Sequence, residues 1–288
     1  MRILILEEML GKLHDLYQAE GLKPGLLLKV GLKAGWNVVI GTDGQCGMAM
    51  SFTGSEEAFG KPKLDMPRLQ TFMHKSLFEV AANYIGSESW QERSIGVAAM
   101  TALSQPLITP AQLKKRHFEV SNNSGGYNSL IKKDDIVAVV GYGGGVSRML
   151  GTCKELHVTD MRPRTAFQTM VITDRAVEYA PREVFVHPEK ENKEVIGKAS
   201  VVIVTGSSLV NGTFEELLSY RRNPRLTIVY GASAAMIPDV LFEHGVDSVH
   251  ASRISDPAQL EIGMMNEMNM EAVMQRSQES QMIGRPAK

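Results

Sequence analysis

The stretch Asp135-Ile136-Val137-Ala138-Val139-Val140-Gly141-Tyr142-Gly143-Gly144-Gly145 decides the fold of this 288-residue chain. A continuous apolar run has no polar face, which suits a parallel strand buried on both sides, and the glycines after it mark a tight turn. Similar short runs follow at 155–159, 184–186, 200–205, 226–230 and 248–251, separated by helix-length segments. Strands alternating with helices in this way predict a Rossmann-like α/β layer with a parallel sheet. The tail from about residue 258 reads as helical and Met-rich before it frays into Ser, Gln, Gly and Pro.

Upstream, the chain is of another kind. Residues 3–20 carry apolar side chains at three- and four-residue steps, an amphipathic helix that Pro24-Gly25 ends. Extended segments at 26–32, 36–42 and 47–52, joined by short turns, predict a three-stranded antiparallel meander. From Pro67 to Tyr84 the period is helical, and a second helix over 94–103 is rich in Ala and Gly, as close packing against a neighbour requires. The Asn/Ser/Gly-rich segment 118–133 marks the junction, giving an α+β domain over 1–120 and a Rossmann-like domain over 121–288.

Composition narrows the function classes. Hydrophobic residues make up 43% and charged residues 22%, a globular balance that excludes wholesale disorder. The 31 Lys and Arg nearly match the 32 Asp and Glu, and neither half carries a basic excess on the scale nucleic-acid binding needs, so nucleic acid is not an expected partner. Cys46 and Cys153 form no CxxC pair, which argues against a zinc ribbon or a redox dithiol within the chain and suits a reducing compartment. Glu7 and Glu8 interrupt the apolar start and no later run reaches membrane-span length, so a cytoplasmic protein without membrane contact is expected. A homodimer is the default assembly.

The glycines Gly141, Gly143, Gly144 and Gly145 sit where a backbone without Cβ can approach a phosphate or carboxylate. Val146 stands where a dinucleotide fingerprint would place a third glycine, which favours a smaller group over a pyrophosphate. Asp160 follows the second strand, where Rossmann proteins hold ribose hydroxyls; the structural alternative is a bare tight turn with a helix-capping Asp. After the strand 200–204 come Thr205, Gly206, Ser207, Ser208, Asn211 and Thr213, a polar loop at a carboxyl strand end, the usual place of a ligand crevice. A capping box of Thr213 with Glu216 explains one of these positions and leaves the others. Gly231 and Ser233 follow the next strand and form the adjacent wall, while Trp36 and Glu92 are the candidates from the first half. The seven histidines show no HxH or HExxH spacing, and His187, followed by Pro188 at a strand end, is the exception worth following. Met264, Met265, Met268, Met270 and Met274 suit a soft metal, yet their helical spacing reads first as core or dimer packing.

Val202-Ile203-Val204-Thr205-Gly206-Ser207-Ser208-Leu209-Val210-Asn211-Gly212-Thr213, with Gly231-Ala232-Ser233 and Leu241-Phe242-Glu243-His244-Gly245-Val246, resembles a family described as "putative heavy-metal chelation". Gly35-Trp36-Asn37-Val38-Val39 and Glu92-Arg93-Ser94-Ile95-Gly96-Val97-Ala98-Ala99 are similar to that family's companion domain, over roughly residues 5–275 in all. Where the family usually carries a Gly-Pro-Ser-x-Pro type segment, this chain has Gly231-Ala232-Ser233-Ala234-Ala235 and neither proline. The resemblance implies an enolase-N-terminal-like domain, without the enolase catalytic domain, ahead of a Rossmann-like one. It also implies a small-molecule or metal-chelate ligand in the cleft between them. The alternative is an enzyme that binds S-adenosylmethionine or a nicotinamide nucleotide at the Gly141–Gly145 turn. A metal ion and a nucleoside-type cofactor are the cofactor classes the residues admit; no catalytic residue or metal ligand is assigned.

Overall fold

The computed structural model describes residues 4–33, 35–54, 59–60, 63–121, 126–143, 145–167, 169–180, 182–266 and 269–286. The first helix, Leu4–Ala19, buries Ile5, Leu6, Met9, Leu13 and Tyr17 at helical spacing. Strands β1 (Leu27–Lys33), β2 (Trp36–Gly41) and β3 (Cys46–Met50) then form the antiparallel meander. The single helix expected over 67–84 is two, Met66–Thr71 and Leu77–Tyr84. His74 lies between them at φ +64°, and Ser76 starts the second with a capping box to Glu79. The helix Trp90–Ser104 has every residue from Gln91 onward buried. It lies so close to β3 that a Cβ on Gly47 would stand 2.2 Å from the Ala98 carbonyl oxygen and 2.3 Å from the Ala102 nitrogen.

The strands of the second half are β4 (Glu119–Ser121), β5 (Ile136–Val140), β6 (Glu155–Asp160), β7 (Thr169–Ile172), β8 (Val177–Ala180), β9 (Phe185–Pro188), β10 (Val201–Thr205), β11 (Leu226–Tyr230), β12 (Ser248–Ile254) and β13 (Gln278–Gly284). Among the described residues, eight of them form one sheet in the order β4-β13-β12-β11-β10-β5-β6-β9, and β7 pairs only with β8. The run β9-β6-β5-β10-β11-β12 is parallel throughout and has the doubly wound order 3-2-1-4-5-6, which reverses between β5 and β10. The fold is thus a mixed α/β one: an antiparallel sheet with helices, then a large, mostly parallel sheet.

Two expectations need correction. The segment between β5 and β6 holds a 3₁₀ turn, Val146–Met149, instead of a helix, and that between β6 and β9 holds the β7–β8 hairpin. The frayed tail is the ordered strand β13, antiparallel to both β12 and β4. The division at residue 120 falls inside β4, which belongs to the large sheet, while residues 122–125 of the expected junction lie outside the described residues.

One core cluster joins both halves, running from Leu6 and Leu103 to Val202 and Val249. A second, lined by Val137, Val139, Val158 and Ile203, covers the opposite face of the large sheet. The outer face of the meander, Val38, Ile40 and Met48, packs under Leu260, Val273, Met264 and Met274 from the helices Pro257–Met265 and Met270–Ser277. Met264 and Met274 are therefore packing residues, Met265 is exposed, and Met268 lies outside the described residues. The start of β5 is tied to β10 through the buried Asp135, which accepts from Ser200 Oγ at 2.9 Å, Lys132 N at 2.7 Å and the Arg225 guanidinium. The Arg225 hydrogen bond, foremost, holds the Asp135 carboxyl down at about 2.

Three outcomes follow for stability. Gly47→Ala drives a methyl into the backbone of a buried helix and lowers the unfolding free energy by about 3 kcal/mol in urea melts. Gly11→Ala, on an exposed helical position with nothing within 4 Å, raises it by about 0.5–1 kcal/mol. Asp135 ionises more readily folded than unfolded, so its contribution of about 2 kcal/mol is complete above pH 4 and is lost as pH falls toward 2. The stability gap between wild type and Asp135→Asn narrows over that interval.

Candidate functional site

A cavity of about 710 Å³ opens at the carboxyl ends of β5, β6, β10 and β11, at the point where the strand order reverses. Its opposite wall comes from the meander and the segment after it: Trp36, Met50, Phe52 and Phe59. A hydrogen bond from Met50 N to Ser233 Oγ, 2.9 Å, joins the two walls.

Of the candidates read from the sequence, Trp36, Gly141, Gly143, Gly145, Asp160, Thr205, Ser207, Ser208, Asn211, Thr213, Gly231 and Ser233 line this cavity. Gly144 lies outside the described residues. Gly206 sits beneath the lining, where its N–H donates to the Tyr230 carbonyl at 2.7 Å and a Cβ would meet Ala234 N at 2.6 Å. Glu92 stands elsewhere: it accepts from Ser87 Oγ at 2.7 Å and pairs with Arg68 at 3.4 Å, fastening the segment ahead of its own helix.

The glycine turn is shaped by its neighbours. Gly141 takes φ +90°, a region that side chains rarely adopt, and its carbonyl accepts the Tyr230 hydroxyl at 2.8 Å. A Cβ on Gly145 would fall 1.9 Å from the Tyr127 hydroxyl. Burial pushes the Tyr230 and Tyr127 phenols up, so both stay protonated donors at neutral pH. The Asp160 carboxylate is already engaged: it accepts Tyr142 N at 2.7 Å, Arg162 N at 2.8 Å and the Arg162 guanidinium at 3.0 and 2.9 Å. Arg162 in turn lies over the Phe167 ring at 4.5 Å, and Phe167 stacks on Tyr142 at 4.6 Å. Asp160 thus clamps the turn through a bidentate ion pair. Nucleotide binding of the Rossmann kind uses an acidic side chain open to ribose and a helix N-terminus at the turn. Here that carboxylate is held by arginine, and a four-residue 3₁₀ turn stands in the place of the helix.

The polar loop after β10 is a short helix, Ser207–Asn211, ended by Gly212 at φ +80°. The Thr213–Glu216 capping box is not made; Thr213 Oγ donates to Asn211 Oδ1 at 2.8 Å, and the Asn211 amide nitrogen faces Met161. Thr205 and Ser207 hydroxyls meet at 3.0 Å. The sequence reading missed Tyr127, Arg148, Thr159, Arg162, Tyr230 and His250 in the lining. Thr159, Tyr230 and His250 belong to the apolar strand runs, so a rule attentive to the last residues of each buried strand would have found them. Burial, then the charge of Arg148, holds the His250 imidazole below its usual value, so it is neutral at pH 7.

Three residues of the lining each hold a buried oxygen, Asn128 Oδ1, Thr159 Oγ1 and Asn192 Oδ1, that makes no hydrogen bond within the described residues. No three His, Cys, Asp or Glu side chains among the described residues converge on one point. Among the described residues the cavity therefore offers hydrogen-bonding and cationic groups but no cluster of three such donors for a bare metal ion. Removing the clamp with Asp160→Ala orphans the Tyr142 amide and the Arg162 guanidinium, and urea melts should show a loss of about 2–3 kcal/mol.

Two family models match the chain, over residues 15–104 and 127–280, and both are described as "Putative heavy-metal chelation". An uncharacterised protein of Methanocaldococcus jannaschii, MJ0500, is 25% identical over 223 residues, which is 76% of this chain and 74% of the relative. Two crystal structures of DUF364-family proteins of unknown function share the fold. One, from Desulfitobacterium hafniense, has a TM-score of 0.70 at 18% identity and covers 96% of this chain and 100% of its own. The other, from Pyrococcus horikoshii, has a TM-score of 0.71 at 18% identity and covers 98% and 100%. With both halves matched, the chain belongs to the family described as "Putative heavy-metal chelation".

Proposed function

We propose that this protein binds a small metal chelate, or the chelating molecule itself, in the cavity between the meander and the carboxyl ends of β5, β6, β10 and β11. The observation that carries the reading is a cavity with a polar lining in which three residues, Asn128, Thr159 and Asn192, each keep a buried oxygen without a partner among the described residues. Such an oxygen costs about 1–3 kcal/mol, and an occupant toward which these side chains turn offsets that cost. About 710 Å³ is the size of a small-molecule site. Trp36, Phe52 and Phe59 give the cavity apolar lining, and Thr205, Ser207 and Arg148 line it too, which suits a ligand with an apolar part and an anionic edge. Without a cluster of three such protein donors among the described residues, a metal ion in this cavity arrives with the donors of its chelator, in keeping with the family to which the chain belongs.

Native mass spectrometry with elemental analysis of gently purified protein tests the ligand class. A stoichiometric metal together with an organic chelator supports the proposal, and a co-purified nucleotide overturns it. Thr159→Val tests the site: removing an unpartnered hydroxyl leaves stability equal or higher by up to about 1 kcal/mol, while retention of the co-purified ligand falls. Lower stability with unaltered retention would assign that hydroxyl to the fold instead.

A further inference from the structure

Outside the cavity, at the β6–β9 edge of the large sheet, four side chains form a hydrogen-bonded chain. Glu155 Oε2 lies 3.2 Å from His157 Nε2, His157 Nδ1 lies 3.0 Å from His187 Nε2, and His187 Nδ1 lies 2.8 Å from Glu191 Oε2. The order of partners fixes the chemistry. An ionised carboxylate only accepts, so each outer ring nitrogen carries its proton toward a glutamate. The two inner nitrogens then face each other at 3.0 Å, a contact satisfied by one shared proton or, in the proton's place, by a metal ion between them. Carboxylates that fix the tautomer and turn the free nitrogen inward are the usual outer partners of metal-binding imidazoles.

We propose that His157 and His187 form a two-imidazole site for a divalent transition-metal ion, with Glu155 and Glu191 as positioning residues and solvent or a chelator completing the shell. At metal–nitrogen bonds of about 2.0–2.1 Å, nitrogens 3.0 Å apart subtend about 90–97° at the ion. That is a cis pair in a square or octahedral arrangement, favouring Cu²⁺ or Ni²⁺ over tetrahedral Zn²⁺. The ligands are held before the ion arrives: Phe185 stacks on His157 at 4.9 Å, and the two imidazoles stack at 5.2 Å. Glu194 adds a third nearby negative charge, though Lys154 and Lys198 pair with Glu155 and Glu194. Access is open, because His187 also lines a surface depression of about 700 Å³ that Arg162, Arg164 and Lys190 share, where an anionic chelator could deliver or receive the ion.

Calorimetric titration of the tag-free full chain with Ni²⁺, each variant checked by circular dichroism, tests the site. Wild type binds one equivalent; His157→Ala and His187→Ala each weaken binding at least about tenfold, and Glu155→Gln and Glu191→Gln by about tenfold or more. In the Cu²⁺ form, electron paramagnetic resonance shows splitting from two nitrogens, reduced to one in either histidine variant. Ni²⁺ uptake that survives both histidine substitutions unchanged, or no uptake by wild type at about tenfold excess, overturns the proposal. None of the four residues lines the larger cavity, so its ligand retention should be unaffected whichever way the metal experiment falls.

Discussion

A helix with no face toward water has to be satisfied on every side, and Trp90–Ser104 is such a helix. Most of its side-chain polar groups are paired, Arg93 Nε being buried without a partner among the described residues. Asn37 donates to the Gln91 carbonyl at 3.1 Å, Thr101 to that of Ala98 at 2.8 Å, and Ser104 Oγ accepts Ile237 N at 3.2 Å while donating to Met100 O at 2.8 Å. Arg93 reaches across to the Val210 carbonyl at 2.8 Å, and burial lowers its pKa. The meander holds one side of this helix and the cavity-lining turns after β10 and β11 hold the other. The two walls of the cavity cannot part without breaking these bonds, so the cavity is held open by the fold itself.

The end of the chain reinforces this arrangement. The helices Pro257–Met265 and Met270–Ser277 return to cover the outer face of the meander, and Lys29 pairs there with Glu261. Gly31 makes room for Met264, whose sulfur would lie 2.3 Å from a Cβ at that position. The methionine-rich stretch is accordingly used as adaptable packing, with Met274 reaching the cavity rim. Each half of the molecule thus depends on the other for part of its core.

Where one kind of burial governed a segment, it was legible in the residues. The strand 136–140 is apolar throughout because both its faces are covered, and the first helix declares its buried face by spacing alone. The strand β13 was not legible. It turns Gln281 inward, at 4% exposure, to donate to the Ile108 carbonyl at 3.0 Å, so the inward positions are not uniformly apolar and the alternation is masked. The helix expected over 67–84 failed for another reason: His74 at positive φ is no ordinary helix breaker in a sequence. Within the site, small polar residues at strand ends were found because glycine and hydroxyl side chains are conspicuous there. Arg162 and Thr159 were not, because their roles arise from partners that only the folded chain brings near.

The absence of a helix after the glycine turn also alters what the turn can bind. In a doubly wound sheet the first crossover helix aims a dipole and free N–H groups at a phosphate. This chain keeps the strand order yet spans β5 to β6 with a 3₁₀ turn, so positive charge at the cavity comes from Arg148 and Arg162. Arg162 is fixed by Asp160 and by the Phe167 ring, and its charge is largely compensated. Arg148 has no ion pair within 4.0 Å among the described residues, and its charge is felt by both Tyr127 and His250. A guanidinium at the end of a long side chain pairs bidentately with carboxylate or phosphate oxygens alike. The positive potential at this turn therefore comes from side chains in place of a helix N-terminus, and it follows from replacing a helix by a turn in an otherwise conventional strand order.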